Sequence, residues 1–173
     1  MLTHATGTWL RRPGQATTWA QDMLRPGIAV IVAIAHRPTG GEEVAVIDMA
    51  EQELAHGSLI TAGERALREL IHLTAPRILL AYNADCVRDR LLTEASRRDI
   101  DPQHLEDPDR WGCVMRARSA ARGTPDHLYP LGATHDAIAA AWTVLDLVRE
   151  IAEQRCPATP GLPDPATRWL PGR

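Results

Sequence analysis

The stretch Ile28–Ala35, with the sequence IAVIVAIA, is a continuous apolar run that is rich in β-branched residues. A run of this length and composition is typical of a buried β-strand. Pro38–Gly41 follows it as a turn, and Glu43–Met49, with the sequence EVAVIDM, predicts a second strand. Because a short turn joins the two runs, we expect them to form a β-hairpin that begins a sheet.

Working outward from this hairpin, the chain alternates between predicted strands and helices. A weaker third strand is expected around Glu53–Leu59, and a buried fourth strand over Arg77–Tyr82. The helices are expected at residues 17–24, 61–75, 83–98, 111–121 and 135–154. The residues expected to cap them are Thr17 or Thr18, Thr61, Asn83 and Thr134. This order predicts a mixed α/β sheet with helices on both faces.

The length of 173 residues predicts a single compact domain, and an apolar fraction of 45% is ordinary for a globular core. We expect this domain to span residues 17–154. Residues 1–16 form an N-terminal extension in this interpretation. Residues 155–173 contain five prolines and are expected to form an extended or disordered tail.

Charge and cysteine content exclude several classes of function. The net charge of −3 gives no overall attraction to nucleic acid or to a membrane surface. The cysteines Cys86, Cys113 and Cys156 form no CxxC pair, so neither a zinc site nor a disulfide framework is indicated. No segment has the composition of a signal peptide or the roughly 20 apolar residues that span a bilayer. The sequence therefore predicts a cytoplasmic protein without membrane contact.

Several short segments resemble the motifs of the DEDDh family of 3′–5′ exonucleases. Leu80–Ala84 (LAYNA) resembles the second motif, and Trp111–Met115 (WGCVM) resembles a segment that often follows it. His135–Ile138 (HDAI) resembles the third motif, and the hairpin of residues 28–49 takes the place of the first. The order matches over about residues 17–152. The resemblance implies a ribonuclease-H-like mixed sheet, with strands one to three antiparallel and helices around it.

The resemblance also implies a catalytic site that this chain no longer carries. The family holds two divalent metals with four carboxylates, and a histidine five residues before the last carboxylate acts as general base. The corresponding carboxylate positions here are Ala33, Ala35, Val87 and Ala140, whereas the histidine, His135, is retained. Hard cations such as Mg²⁺ need oxygen ligands, so we expect no metal cofactor.

An alternative is a metal site rebuilt from His36, Glu42, His135 and Asp136, which would use Mg²⁺ or Mn²⁺ for 3′–5′ exonuclease activity. The simpler interpretation is that Asp136 stabilises the first turn of a helix and His36 ends a strand.

The expected function is therefore that of a catalytically inactive, exonuclease-like module that binds a protein partner, a second copy of itself or single-stranded nucleic acid. Removal of carboxylates from a groove favours phosphate binding. The candidate phosphate contacts are Arg88, Arg90, Arg116 and Arg118. The alternative for these arginines is a solvated helix surface balanced by acidic neighbours. Trp169 and Leu170 in the tail belong either to a docking segment or to an untethered end.

Overall fold

A computed structural model describes residues 10–38, 40–59, 63–132 and 135–154. The strands are β1 (Ala29–His36), β2 (Glu42–Asp48), β3 (Glu53–Ser58), β4 (Ile78–Ala81) and β5 (Trp111–Cys113). The helices are α1 (Pro13–Met23), α2 (Gly63–Thr74), α3 (Ala84–Arg97), α4 (Val114–Ala121) and α5 (Ala137–Glu153). Two short 3₁₀ turns, Gln103–Leu105 and Pro108–Arg110, lie between α3 and β5. The proline-rich tail, residues 155–173, lies outside the described residues.

The five strands form one mixed sheet in the order β3-β2-β1-β4-β5. The predicted hairpin is confirmed, because β1 and β2 pair antiparallel with Ala35 opposite Glu43 and His36 opposite Glu42. Strand β3 continues the antiparallel pairing on β2, whereas β4 and β5 run parallel to β1. The carboxyl ends of β1, β4 and β5 therefore point to the same edge of the sheet, where β2 begins. We call this edge the C-terminal edge.

Helices cover both faces of the sheet, which confirms the prediction of an α/β fold flanked by helices. On β1, Ile31 packs with α1, α4 and α5, while Val30 and Val32 pack with α2 and α3. Successive side chains of a strand point to opposite faces, so a central strand with two covered faces must be apolar at every position. This explains the unbroken apolar run of β1.

The helix α2 forms as its apolar spacing predicts. Leu67, Leu70, Ile71 and Thr74 are buried on one face, and the charged side chains between them are exposed. The expected cap of this helix, Thr61, lies outside the described residues. The predicted cap of α3 is confirmed, because the Asn83 side chain accepts a hydrogen bond from the Cys86 N–H at 3.5 Å.

Helix α1 begins earlier than predicted. Pro13 occupies its first turn, where a missing N–H leaves no hydrogen bond unmade. Thr17 and Thr18 therefore lie inside the helix and do not cap it. Their hydroxyls donate to the carbonyls of Pro13 and Gly14, four residues earlier, at 3.2 Å and 3.0 Å. The helix packs against α4 and α5, so it belongs to the layers around the sheet.

Helix α5 begins later than predicted, at Ala137 and not at His135. Its cap is Asp136, whose Oδ1 accepts hydrogen bonds from the N–H groups of Ile138 at 2.8 Å and Ala139 at 3.1 Å. The expected cap, Thr134, lies outside the described residues. The negative charge of an aspartate at this position also interacts favourably with the positive N-terminal end of the helix dipole.

The prediction of a helix over residues 111–121 is wrong for its first three residues. Trp111–Cys113 forms β5, which pairs parallel with β4, and the helix α4 begins only at Val114. The Trp111 ring is buried, and its Nε1–H donates to the Leu105 carbonyl at 3.0 Å. Pairing with the distant strand β4 overrides the local sequence pattern here.

Within the part of the chain that the structure describes, no helix combines the length and the hydropathy needed to cross a bilayer.

Candidate functional site

The C-terminal edge gathers polar residues from several parts of the chain. His36 ends β1, Glu42 and Glu43 begin β2, and Tyr82 follows β4. The N-terminus of α5 also lies here, since the N–H of Ala137 is 3.5 Å from the Glu43 Oε2. In open α/β sheets, ligands bind in crevices outside the carboxyl ends of parallel strands. This edge is therefore the candidate functional site.

The four positions to which the resemblance assigns carboxylates lie in two different layers. Ala33, Ala35 and Ala140 are all buried in one apolar core, because α5 packs on β1. Val87 is partly buried against the other core, on the α3 side of the sheet. The structure thus places three of the four positions in one core layer and Val87 in the layer on the opposite face of the sheet. His135 is exposed and lies two residues before α5.

Glu43 is the acid that the sequence interpretation missed as a site residue. It lies directly across the ladder from Ala35 and is 3% exposed. Its Oε1 accepts hydrogen bonds from the Arg37 guanidinium and, at 2.8 Å, from His56 Nε2. The strand pattern contained the signal, since Glu43 stands in the alternating series that places Ala45 and Ile47 in the core.

These contacts decide the charge state of Glu43. Burial removes water from the carboxylate and by itself would raise its pKa. Hydrogen bonds from Arg37, from His56 and from the Ala137 N–H outweigh that effect and hold the pKa of Glu43 below its ordinary value. Glu43 is therefore a charged carboxylate whose oxygens already face the Arg37 guanidinium, the His56 ring and a helix N-terminus.

The residues present do not fit the two divalent metals that the family resemblance implies. A metal beside Glu43 would compete with the Arg37 guanidinium for the same oxygen, and the methyl groups of Ala33, Ala35 and Ala140 supply no ligand. Among the described residues, no group of three or more histidine, cysteine, aspartate or glutamate side chains is arranged to hold a metal ion.

The four residues of the alternative, rebuilt site are not brought together as one group. His36 Nδ1 lies 3.5 Å from Glu42 Oε1, so these two form a pair. Strand alternation points this pair to the face covered by α2 and α3, since Glu42 also bonds to Arg90 of α3. Asp136 caps α5, which packs on the other face, and His135 precedes it.

Three of the four candidate phosphate-binding arginines are paired with acids. Arg88 lies 3.6 Å from Asp85, and Arg116 lies 3.4 Å from the same side chain. Arg90 bonds to Glu42 and lies 3.4 Å from Glu94. Each of these three guanidinium groups therefore has an acidic partner within the protein.

Arg118 has a different environment. Its Nη1 donates to the Tyr82 hydroxyl at 3.1 Å, and its guanidinium carbon lies 5.7 Å from the centroid of the Tyr129 ring. The Arg122 guanidinium lies 4.6 Å from the same centroid. Among the described residues, no aspartate or glutamate forms an ion pair with Arg118 or Arg122. The aromatic ring and its two cations therefore form a positively charged patch, which we call the Tyr129 patch.

The acids of the C-terminal edge are thus engaged within the protein. Glu42 accepts from the Arg90 guanidinium and Glu43 from the Arg37 guanidinium, while Asp136 accepts from backbone N–H groups. Comparisons of this chain with protein-family models, with curated proteins and with solved structures found no match.

Proposed function

We propose that this chain is a catalytically inactive, exonuclease-like module with a ribonuclease-H-like sheet, and that it acts by binding a protein partner or single-stranded nucleic acid. One observation carries the proposal. The methyl groups of Ala33, Ala35 and Ala140, where the family places metal-binding acids, are packed together in an apolar core. The antiparallel arrangement of β1 to β3 and the helices on both faces support the same interpretation.

The chemistry explains why this packing matters. Two-metal hydrolysis of a phosphodiester depends on oxygen ligands that hold both ions beside the attacked phosphate. A methyl group provides no oxygen ligand for a metal ion. The acid that does lie on this face, Glu43, is already paired with the Arg37 guanidinium and the His56 ring. Both features favour a role in binding over a role in hydrolysis.

A nuclease assay tests the loss of activity. Purified protein, incubated with Mg²⁺ or Mn²⁺, should leave a labelled single-stranded oligonucleotide at full length. The matched controls are His135→Ala and Asp136→Asn. Shortening of the substrate that both substitutions abolish would contradict the proposal and support the rebuilt metal site. Shortening that is equal in all three preparations identifies a contaminating nuclease, which an added purification step removes before the assay is repeated.

The Tyr129 patch favours single-stranded nucleic acid as one binding partner. Aromatic rings stack on bases, and arginines pair with phosphates, so such a patch can bind a strand without reading its sequence. A mobility shift with a labelled single strand at low salt should be lost on Arg122→Gln and weakened by added salt. Arg68→Gln, an exposed arginine on α2, is the control. If the wild-type protein gives no shift, the protein-binding mode is the one that remains.

A further inference from the structure

A second concave surface lies away from the Tyr129 patch, beside the C-terminal half of α3. It is a hollow of about 600 Å³, and its lining includes Arg90, Arg97 and Arg98 together with Glu42 and Glu94. Leu59 and the largely exposed side chain of His36 also line the hollow. We call this surface the arginine hollow. It belongs to the α3 face of the sheet, opposite the packed positions Ala33, Ala35 and Ala140.

Two buried carboxylates hold the three guanidinium groups in place. Glu94 Oε1 lies 2.9 Å from Arg97 Nη1 and 3.4 Å from Arg90 Nη2, and its Oε2 lies 3.7 Å from Arg98 Nε. Glu42 bonds to Arg90 from the other side. Arg98 also donates to the Leu59 carbonyl at 2.8 Å. Each guanidinium has five N–H donors, and these contacts use only some of them.

The charge of the lining is positive. Three arginines face two glutamates, which leaves one net positive charge. The two acids are covered, since Glu42 is 8% and Glu94 is 7% exposed. The Arg97 side chain, in contrast, is 61% exposed. A ligand that enters the hollow therefore meets guanidinium groups before it meets carboxylates.

We propose that the arginine hollow binds a phosphate group. Guanidinium groups match phosphate oxygens with paired hydrogen bonds, and prior orientation by buried acids lowers the entropy that binding costs. The volume lies within the range of small-molecule sites and exceeds the size of one phosphate. It therefore suits a phosphate monoester on a larger molecule as well as the free ion. This proposal does not depend on the loss of nuclease activity, because it concerns the other face of the sheet.

Calorimetric titration at low salt tests the proposal with three probes: inorganic phosphate, adenosine 5′-monophosphate and succinate, a dicarboxylate without phosphorus. We expect phosphate or the monophosphate to bind more tightly than succinate. Equal affinity for phosphate and the monophosphate would identify the free ion as the ligand, whereas tighter binding of the monophosphate would identify a phosphate ester.

Variants connect the binding to the hollow. Arg97→Gln should weaken phosphate binding about tenfold, the effect of one lost charge-assisted hydrogen bond. Arg97→Lys keeps the charge but loses the planar pair of N–H donors. Its phosphate affinity should therefore lie between those of the wild type and Arg97→Gln. Arg68→Gln is the matched control, since Arg68 is 59% exposed and pairs with Glu64 at 3.1 Å. The proposal is wrong if no phosphate probe binds, if succinate binds equally well, or if Arg68→Gln weakens binding as much as Arg97→Gln.

Discussion

At the scale of single residues, Glu43 is the side chain on which the C-terminal edge depends most. Its carboxylate is buried from solvent and accepts hydrogen bonds from Arg37, from His56 and from the N–H of Ala137. We predict that Glu43→Gln lowers the free energy of unfolding at neutral pH by about 1 to 3 kcal/mol, because the Arg37 guanidinium and the His56 ring lose their charged acceptor. Urea unfolding monitored by circular dichroism measures the change.

The control for this prediction is Glu53→Gln on β3. Glu53 is 52% exposed and lies 3.8 Å from the same histidine, His56, but on its other ring nitrogen. A surface pair of this kind contributes little, so the substitution should change the unfolding free energy by less than about 0.5 kcal/mol. Equal losses from the two substitutions would mean that burial of Glu43 has no special role.

The packed alanines give a second prediction at this scale. Ala140→Asp introduces a carboxylate into the core formed by α5 and β1. We expect a loss of about 3 kcal/mol or more in unfolding free energy, since a carboxylate in an apolar core loses its hydration. Ala140→Asn is the control for size, and thermal unfolding is the measurement. Mn²⁺ should restore neither variant; selective recovery of Ala140→Asp would mean that a metal site survives beside Glu43.

Residue identity alone could predict part of this site. The absence of metal ligands at Ala33, Ala35 and Ala140 can be predicted from the sequence, because a methyl group offers no oxygen ligand in any fold. The role of Glu43 depends on contacts with Arg37, His56 and Ala137, which lie in three different parts of the chain. No local sequence pattern predicts such long-range contacts. For Val87, the local sequence did not predict the layer in which the side chain packs, which is the layer on the α3 side of the sheet.

At the scale of elements, the start of α5 depends on its cap. Asp136 Oδ1 accepts from two N–H groups of the first turn. Asp136→Ala should destabilise the protein by about 1 kcal/mol, whereas Asp136→Asn, which keeps the side-chain oxygen, should cost less. Chemical unfolding of both variants provides the comparison. If the two substitutions cost the same, the loss reflects the aspartate charge and not the hydrogen bonds of the cap.

The contact between α2 and α3 gives another prediction. A Cβ added to Gly63 would overlap three atoms of the Arg98 guanidinium, which also bonds to the Leu59 carbonyl. In an Arg98→Ala background, Gly63→Ala should stabilise the protein by roughly 0.5 kcal/mol through helix propensity. In the wild type, displacement of Arg98 should cancel or reverse this gain. A double-mutant cycle measures the coupling, and additive effects would contradict the contact.

Elements differ in how far the sequence predicts them. The hairpin of β1 and β2 could be predicted because eight consecutive apolar residues need two covered faces, whatever the topology. The strand β5 could not, because Trp111–Cys113 is only three residues long and is a strand by virtue of its pairing with β4. The sequence does not predict the first residues of α1 and α5 correctly, because several residues near each start could act as the cap.

At the scale of the whole molecule, the two carboxylates that open β2 fasten the layers on both sides of the sheet. Glu42 joins the sheet to α3 through Arg90. Glu43 joins the hairpin turn, β3 and the start of α5 on the other face. Adjacent residues of one strand therefore connect to opposite layers, because strand alternation sends their side chains in opposite directions. Loss of charge at this edge would loosen contacts between several elements at once.

Acid unfolding should report this connection. The pKa of Glu43 is lower in the folded protein than its ordinary value of 4.5, so the unfolded state binds the proton more readily. The stabilisation is thus complete above the unfolded pKa and is lost as pH falls through the folded pKa. We predict that the difference in unfolding free energy between the wild type and Glu43→Gln, measured in urea from about pH 7 to about pH 3, shrinks below pH 4.5. A constant difference would show that the Glu43 charge does not stabilise the fold.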